Sequence, residues 1–211
     1  MHVTTIQWLD YTGVIVFAIA GVFAAAERKM DAFGALVIAY VTCLGGGTIR
    51  DVLINKYPIF WMQELTYLWL ILITSLVTFF LIRDVKKILP YLMIPDAIGL
   101  GIYTLIGLQK AAALGFPPEI CVIMGVITAV GGGMIRDILC NQPPLIFHNQ
   151  EIYATACLIG AGLYFLMLRF DWNNQVISII TVLIIFSIRL ISIRMNVKMP
   201  RVTTDKGLKR R

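Results

Sequence analysis

Long apolar runs alternate with short polar breaks along this chain, and the runs have membrane-crossing length. Seven apolar stretches stand out: Leu9 to Ala26, Phe33 to Ile54, Leu65 to Ile82, Ile94 to Leu114, Ile120 to Leu139, Ile152 to Leu168 and Val176 to Ile193. At a rise of about 1.5 Å per residue, a helix over each spans most or all of a hydrocarbon core about 30 Å thick. The breaks hold charges and turn formers: Glu27-Arg28-Lys29-Met30-Asp31, Asn55-Lys56-Tyr57-Pro58, Arg83-Asp84-Val85-Lys86-Lys87, Gly115-Phe116-Pro117-Pro118 and Asn141-Gln142-Pro143-Pro144. The pattern predicts an all-α membrane protein with seven transmembrane helices.

The pattern also repeats. A shift of 86 residues places Asp10 on Asp96, Gly13 on Gly99, Gly21 on Gly107, Thr42 on Thr128, Asn55 on Asn141 and Pro58 on Pro144, without a gap. The chain divides into a three-helix unit over 1–90, a second unit over 91–172, a seventh helix over 173–195 and a basic tail over 196–211. Three spans is an odd number, so the second unit enters the membrane from the opposite side. This is the inverted 3+3 repeat of many transporters and some channels.

Gly45-Gly46-Gly47-Thr48-Ile49-Arg50-Asp51 coincides under the same shift with Gly131-Gly132-Gly133-Met134-Ile135-Arg136-Asp137, and each copy lies inside an apolar run. Three glycines cost a helix roughly 3 kcal/mol relative to alanine, and charges at membrane depth cost more. The expectation is that helices two and five break at the triplets. Freed carbonyls, with Thr42, Thr48 and Thr128, then line a path, with a monovalent cation held near Gly45, Gly46, Gly131 and Gly132. Tight helix packing at the glycines is the rival explanation. On the pore reading, Gly46→Leu or Gly132→Leu stops flux and spares assembly.

Arg50-Asp51 and Arg136-Asp137 are expected as gates or charged vestibules at the two ends of that path. Neighbouring residues do not face each other on a helix. Other partners are therefore expected: Glu64, Lys110 and Glu119 for the first pair, and Glu27, Asp84 and Glu151 for the second. Snorkelling to the interface is the simpler alternative. Asp10 and Asp96 are expected to cap their helices, with attraction of ions to a pore mouth as the alternative. Tyr11, Trp61, Tyr67, Trp69, Tyr91 and Trp172 fit interfacial belts.

Composition agrees with a lipid solvent: 59% of residues are hydrophobic, 14% are charged and the mean hydropathy is +0.83. The start lacks the basic region of a secretory signal, so the first stretch is expected to remain as a membrane helix. The net charge of +6 is concentrated in Arg194, Lys198, Arg201, Lys206, Lys209, Arg210 and Arg211, opposed by Asp205. Positive-inside bias then places the C-terminus in the cytoplasm and the N-terminus outside, touching lipid and not nucleic acid. Cys43, Cys121, Cys140 and Cys157 read as apolar filler without metal-ligand spacing. Neither a Ser-His-Asp arrangement nor a Walker loop is present. The chain is read as no enzyme, needing no cofactor beyond permeant K+ or Na+.

Two GGG-x-I-R-D motifs in a seven-span chain of this length resemble the prokaryotic members of the trimeric intracellular cation (TRIC) channel family. That family overlaps a bacterial inner-membrane family, some of whose members are named glycine transporters. The resemblance implies a homotrimer with one hourglass pore per protomer, kinked second and fifth helices, K+ and Na+ permeation and a prokaryotic plasma membrane. Animal relatives carry a Lys-Glu-Val signature linked to phosphoinositides. Here Thr48-Ile49-Arg50-Asp51 and Met134-Ile135-Arg136-Asp137 stand in the corresponding places. A secondary transporter of glycine or another small amino acid, working by alternating access, fits the same architecture.

Overall fold

The computed structural model describes residues 5–82, 93–147, 152–170 and 172–195. Among them are eight α-helices and no strand: α1 (Thr5–Glu27), α2 (Ala32–Leu53), α3 (Phe60–Gln63), α4 (Thr66–Leu81), α5 (Met93–Ala112), α6 (Pro118–Leu139), α7 (Ala154–Met167) and α8 (Asn174–Met195). The seven long helices fall on the seven apolar stretches. Only α3, a single turn after Pro58, was not expected. Ile6–Glu27, Ala32–Leu53, Pro118–Leu139 and Asn174–Met195 are each long and apolar enough to cross a membrane. The chain is an all-α, multi-pass membrane protein. The loop at Arg83–Lys87, Tyr91 and the tail beyond Met195 lie outside the described residues.

Local chemistry sets the helix ends. Asp31 caps α2, its Oδ1 accepting the Gly34 N–H at 2.7 Å. Pro118 opens α6, where its missing N–H costs nothing. α2 and α6 stop in the same way. Asn55 and Asn141 both take φ of 53°, and the amides of Lys56 and Gln142 donate to Asp51 O and Asp137 O at 2.8 Å. This is the left-handed helix stop, with asparagine in the usual place of glycine.

The centre of the molecule is built from α1, α2, α5 and α6, with α4 against α1 and α2, α7 against α6, and α8 against α5 and α7. The contacts echo the repeat. Phe17 and Tyr103, which coincide under the 86-residue shift, stack on each other at 4.8 Å between ring centres. A Cβ on Gly99 would strike the Phe17 ring, and one on Gly13 would press on Tyr103.

The expected breaks in helices two and five are not found, because α2 and α6 run through their triplets without interruption. The glycines instead form the place where the two helices cross. A Cβ on Gly46 would lie 2.0 Å from Thr128 O, and one on Gly132 would lie 2.1 Å from Thr42 O. Gly45 faces Ile135 as Gly131 faces Ile49. Rising positions on α2 meet falling positions on α6, so the helices cross antiparallel. Backbone approaches backbone here, and only hydrogen fits between.

Leucine at Gly46 or Gly132 would therefore force the helices apart, so the expected sparing of assembly does not survive this geometry. Gly46→Ala and Gly132→Ala are each expected to lower stability by about 1–3 kcal/mol through overpacking, read as a drop in melting temperature of the detergent-solubilised protein. Gly162→Ala, with nothing within 4 Å of the added carbon, leaves that temperature unchanged or slightly raised.

Candidate functional site

Beyond the crossing, each helix carries its Arg-Asp pair to opposite ends of the bundle core, and the four side chains are buried. The guanidinium of each arginine turns back onto the next residue. Arg50 Nε donates to Asp51 Oδ1 at 2.8 Å, and Arg136 Nε to Asp137 Oδ1 at 2.9 Å. The expectation that neighbours would seek other partners is thus corrected. A long arginine can curl beside its own backbone and present Nε to the adjacent carboxylate.

The second oxygen of each aspartate fastens the returning loop. Asp51 Oδ2 accepts the Phe60 N–H at 3.0 Å, and Asp137 Oδ2 accepts the Leu145 N–H at 2.9 Å. A charged carboxylate at each helix end thus satisfies amides that would otherwise be orphaned at membrane depth.

Around Arg50 lie Asp10, Lys110, Phe60 and Tyr67. Tyr67 donates to Asp10 Oδ2 at 2.9 Å, and Tyr11 donates to Glu64. Arg50 Cζ and Lys110 Nζ stand 5.6 and 5.3 Å from the centre of the Phe60 ring, a cation–π arrangement. Phe60 reaches this place because Gly47 has no side chain, and an added Cβ would be 2.5 Å from the ring. Around Arg136 lie Asp96, Tyr153 and, behind the tyrosine, Arg189. Arg136 Nη1 donates to Asp96 Oδ1 at 2.9 Å.

Asp10 and Asp96 are not caps. Asp10 is more than a turn inside α1 and Asp96 lies within the first turn of α5. Both are buried: Asp10 Oδ2 accepts from Tyr67 and Asp96 Oδ1 from Arg136. Of the partners expected for the arginines, Lys110 is in the first cluster, with Glu64 at its edge. Glu119 is exposed at the start of α6. Asp84 and Glu151 lie outside the described residues. Tyr67 is a cluster residue and not a belt residue, and the half-buried Trp61 donates to Thr48 Oγ1 at 3.1 Å. Trp69 and Trp172 are exposed. Thr42 and Thr128 donate back to Ile38 O and Met124 O within their own helices at 2.7 and 2.6 Å.

A cavity of about 510 Å³ opens onto the second cluster. Its walls include Glu27, Arg28, Asp96, Arg136, Asp137 and Gln142. Glu27, expected as a partner of the Arg136–Asp137 pair, thus lines the same cavity. One oxygen of Asp96, Oδ2, has no hydrogen-bond partner. Such a cavity admits water and small charged solutes to a buried carboxylate, with a guanidinium fixed beside it. Among the described residues no group of three or more His, Cys, Asp or Glu forms a metal site, and the four cysteines are free and buried.

Asp137→Asn removes a charge from a buried pair and leaves Arg136 partly uncompensated, an expected loss of about 3–5 kcal/mol. Glu119→Gln, on the same helix but outside the cluster, is expected to melt as the parent does. Thermal unfolding in detergent compares the two.

A protein-family model described as glycine transporter matches the chain twice, over residues 7–83 and 93–169, the same 86-residue displacement read from the motifs. The chain is 42% identical over 208 residues to the UPF0126 inner membrane protein YadS of Escherichia coli, covering 96% of this chain and 98% of that one. It superposes on the TRIC trimeric intracellular cation channel orthologue from Rhodobacter sphaeroides with a TM-score of 0.87 at 31% identity, over 92% of this chain and 100% of that chain. A second structure, solved to explain conductance through TRIC cation channels, gives a TM-score of 0.84 at 34% identity over 97% of this chain and 100% of that chain. The chain therefore belongs to the prokaryotic TRIC family, which the glycine-transporter family model and the UPF0126 membrane proteins also describe.

Proposed function

We propose that the protein is a passive channel for monovalent cations, K+ and Na+, working as a homotrimer with one path in each protomer. The observation that carries this reading is the full-length likeness, at TM-scores of 0.87 and 0.84, to proteins solved as cation channels. The internal geometry supports it. Repeat mates α2 and α6 cross antiparallel, as an inverted 3+3 repeat requires, and matching charge clusters close the two ends of the crossing.

The path enters through the cavity at Asp96, Arg136 and Asp137, passes the waist formed by Gly45–Gly47 and Gly131–Gly133, and leaves past Arg50, Asp51 and Asp10. At the waist the backbones of α2 and α6 lie against each other. Glycine lets α2 and α6 bend or slide there at little steric cost, exposing the carbonyls of Thr42 and Thr128 as weak neutral ligands for a fast-moving ion. The Arg-Asp pairs act as gates. The tail-bearing end faces the cytoplasm and the N-terminus faces outside, in the inner membrane of a prokaryote.

A second reading is transport of glycine or another small amino acid. It is favoured by the description of the matching family model and by a cavity that offers both a guanidinium and carboxylates to a zwitterion. Recording from the purified protein in planar bilayers separates the two. The channel reading predicts discrete openings that reverse near the K+ equilibrium potential in a K+ gradient. Silent bilayers together with saturable glycine uptake into liposomes would move the assignment to the transporter.

A further inference from the structure

We propose that the cavity at Asp96, Arg136 and Asp137 binds an aliphatic primary ammonium ion, which takes there the place that the Lys110 side chain fills in the other half of the molecule. Neither the ligand nor its test depends on the passage of ions.

The two halves carry the same charges up to one position. Asp10 and Asp96, Asp51 and Asp137, and Arg50 and Arg136 are repeat mates. In the first half a further cation joins them from α5. Lys110 interacts electrostatically with Asp10 and Asp51, and its Nζ stands 5.3 Å from the centre of the Phe60 ring. The residue 86 positions before Lys110 is Ala24 on α1. Ala24 lines the cavity, and so does Ala20, the mate of Ile106. Two methyl groups thus stand where the first half carries an isoleucine and a lysine, and a cavity of about 510 Å³ opens beside them.

The carboxylates that Lys110 answers are kept in the second half. Asp96 Oδ1 and Asp137 Oδ1 accept from Arg136, and Asp137 Oδ2 accepts the Leu145 N–H. Asp96 Oδ2 has no hydrogen-bond partner, on a residue only 2% exposed. A buried acceptor is costly to leave unmet, and an ammonium N–H is a charge-assisted donor for it. Phe60 has Ile146 as its mate, so recognition in this half falls to the carboxylates.

Charge and shape narrow the ligand. The cavity walls carry Glu27, Asp96 and Asp137 against Arg28 and Arg136, a surplus of one negative charge that suits a monocation. Ala20, Ala24, Met93 and Leu145 give the walls an apolar part for an alkyl chain. Lysine exceeds alanine by a propyl-length stem and an ammonium group, which makes n-propylammonium the nearest free counterpart of the Lys110 side chain. The cavity volume lies within the roughly 300–1,000 Å³ usual for small-molecule sites.

Thermal unfolding of the detergent-purified protein at constant ionic strength reads the binding. At roughly 50 mM, n-propylammonium chloride is expected to raise the melting temperature by at least about 2 °C over tetramethylammonium chloride, which has no N–H to donate. Asp96→Asn removes the charge that the ammonium meets and is expected to abolish the difference. Ala24→Lys installs the side chain of the first half. It is expected to fold, to melt at or above the parent temperature and to lose the response, because its own ammonium fills the site.

Equal melting of the parent in the two salts overturns the proposal. So does a full response retained in Asp96→Asn or in Ala24→Lys. Failure of Ala24→Lys to fold also overturns it, since the cavity must have room and charge for that lysine. Where Asp96→Asn does not fold, Ala24→Lys decides. A parent protein that responds to the amine but passes no current counts against the channel reading alone, and one that conducts without responding counts against the ammonium site alone.

Discussion

The approach of α2 to α6 at the glycine triplets constrains everything else in the molecule. With Gly46 against Thr128 O and Gly132 against Thr42 O, neither position can hold even a methyl group. The contact is one of backbone on backbone and leaves no room for side chains. It fixes an antiparallel crossing of repeat mates and sends Arg50 and Arg136 to opposite ends. It also aligns α1 and α5 so that Phe17 and Tyr103 stack between the halves. Lipid offers no hydrophobic drive for two apolar helices to associate, so small residues and close van der Waals contact are the available means.

The second constraint is electrical. Carboxylates and guanidiniums removed from water must be paired and their remaining hydrogen-bonding capacity used. Asp51 and Asp137 meet this by serving two masters, the neighbouring arginine with one oxygen and a returning loop amide with the other. That joins charge neutralisation to loop closure. A movement of either arginine must disturb the loop beyond it, which links the charged clusters mechanically to α3 on one side and to the turn at Leu145–Phe147 on the other.

Much of this was legible in the sequence. Seven apolar runs became seven long helices because period and length leave few alternatives in lipid, with charged or turn-forming breaks such as Glu27–Asp31 between them. The 86-residue shift was equally plain, since glycine, aspartate, asparagine and proline fall in register where backbone geometry demands them. The use of the glycines was not legible. A triplet can break a helix or admit a neighbouring one, and only the position of Thr42 O and Thr128 O decides for packing. Asp10 and Asp96 looked like caps because composition places them at the edges of apolar runs, while their partners Tyr67 and Arg136 lie 57 and 40 residues away. The shift does place Tyr67 on Tyr153, a signal that these tyrosines belong to the clusters. Arg189, buried over the Tyr153 ring, carries no such signal, since it lies outside the repeat.

The central claim is that cations pass through each protomer along the α2–α6 crossing, between two clusters of buried charge. Crystals of the protein soaked in thallium(I), a K+ substitute with strong anomalous scattering, test it most directly. The account predicts anomalous peaks inside every protomer, in the cavity at Asp96 and near the waist at Gly46 and Gly132. Peaks confined to an axis between protomers, with none along the crossing, would contradict it.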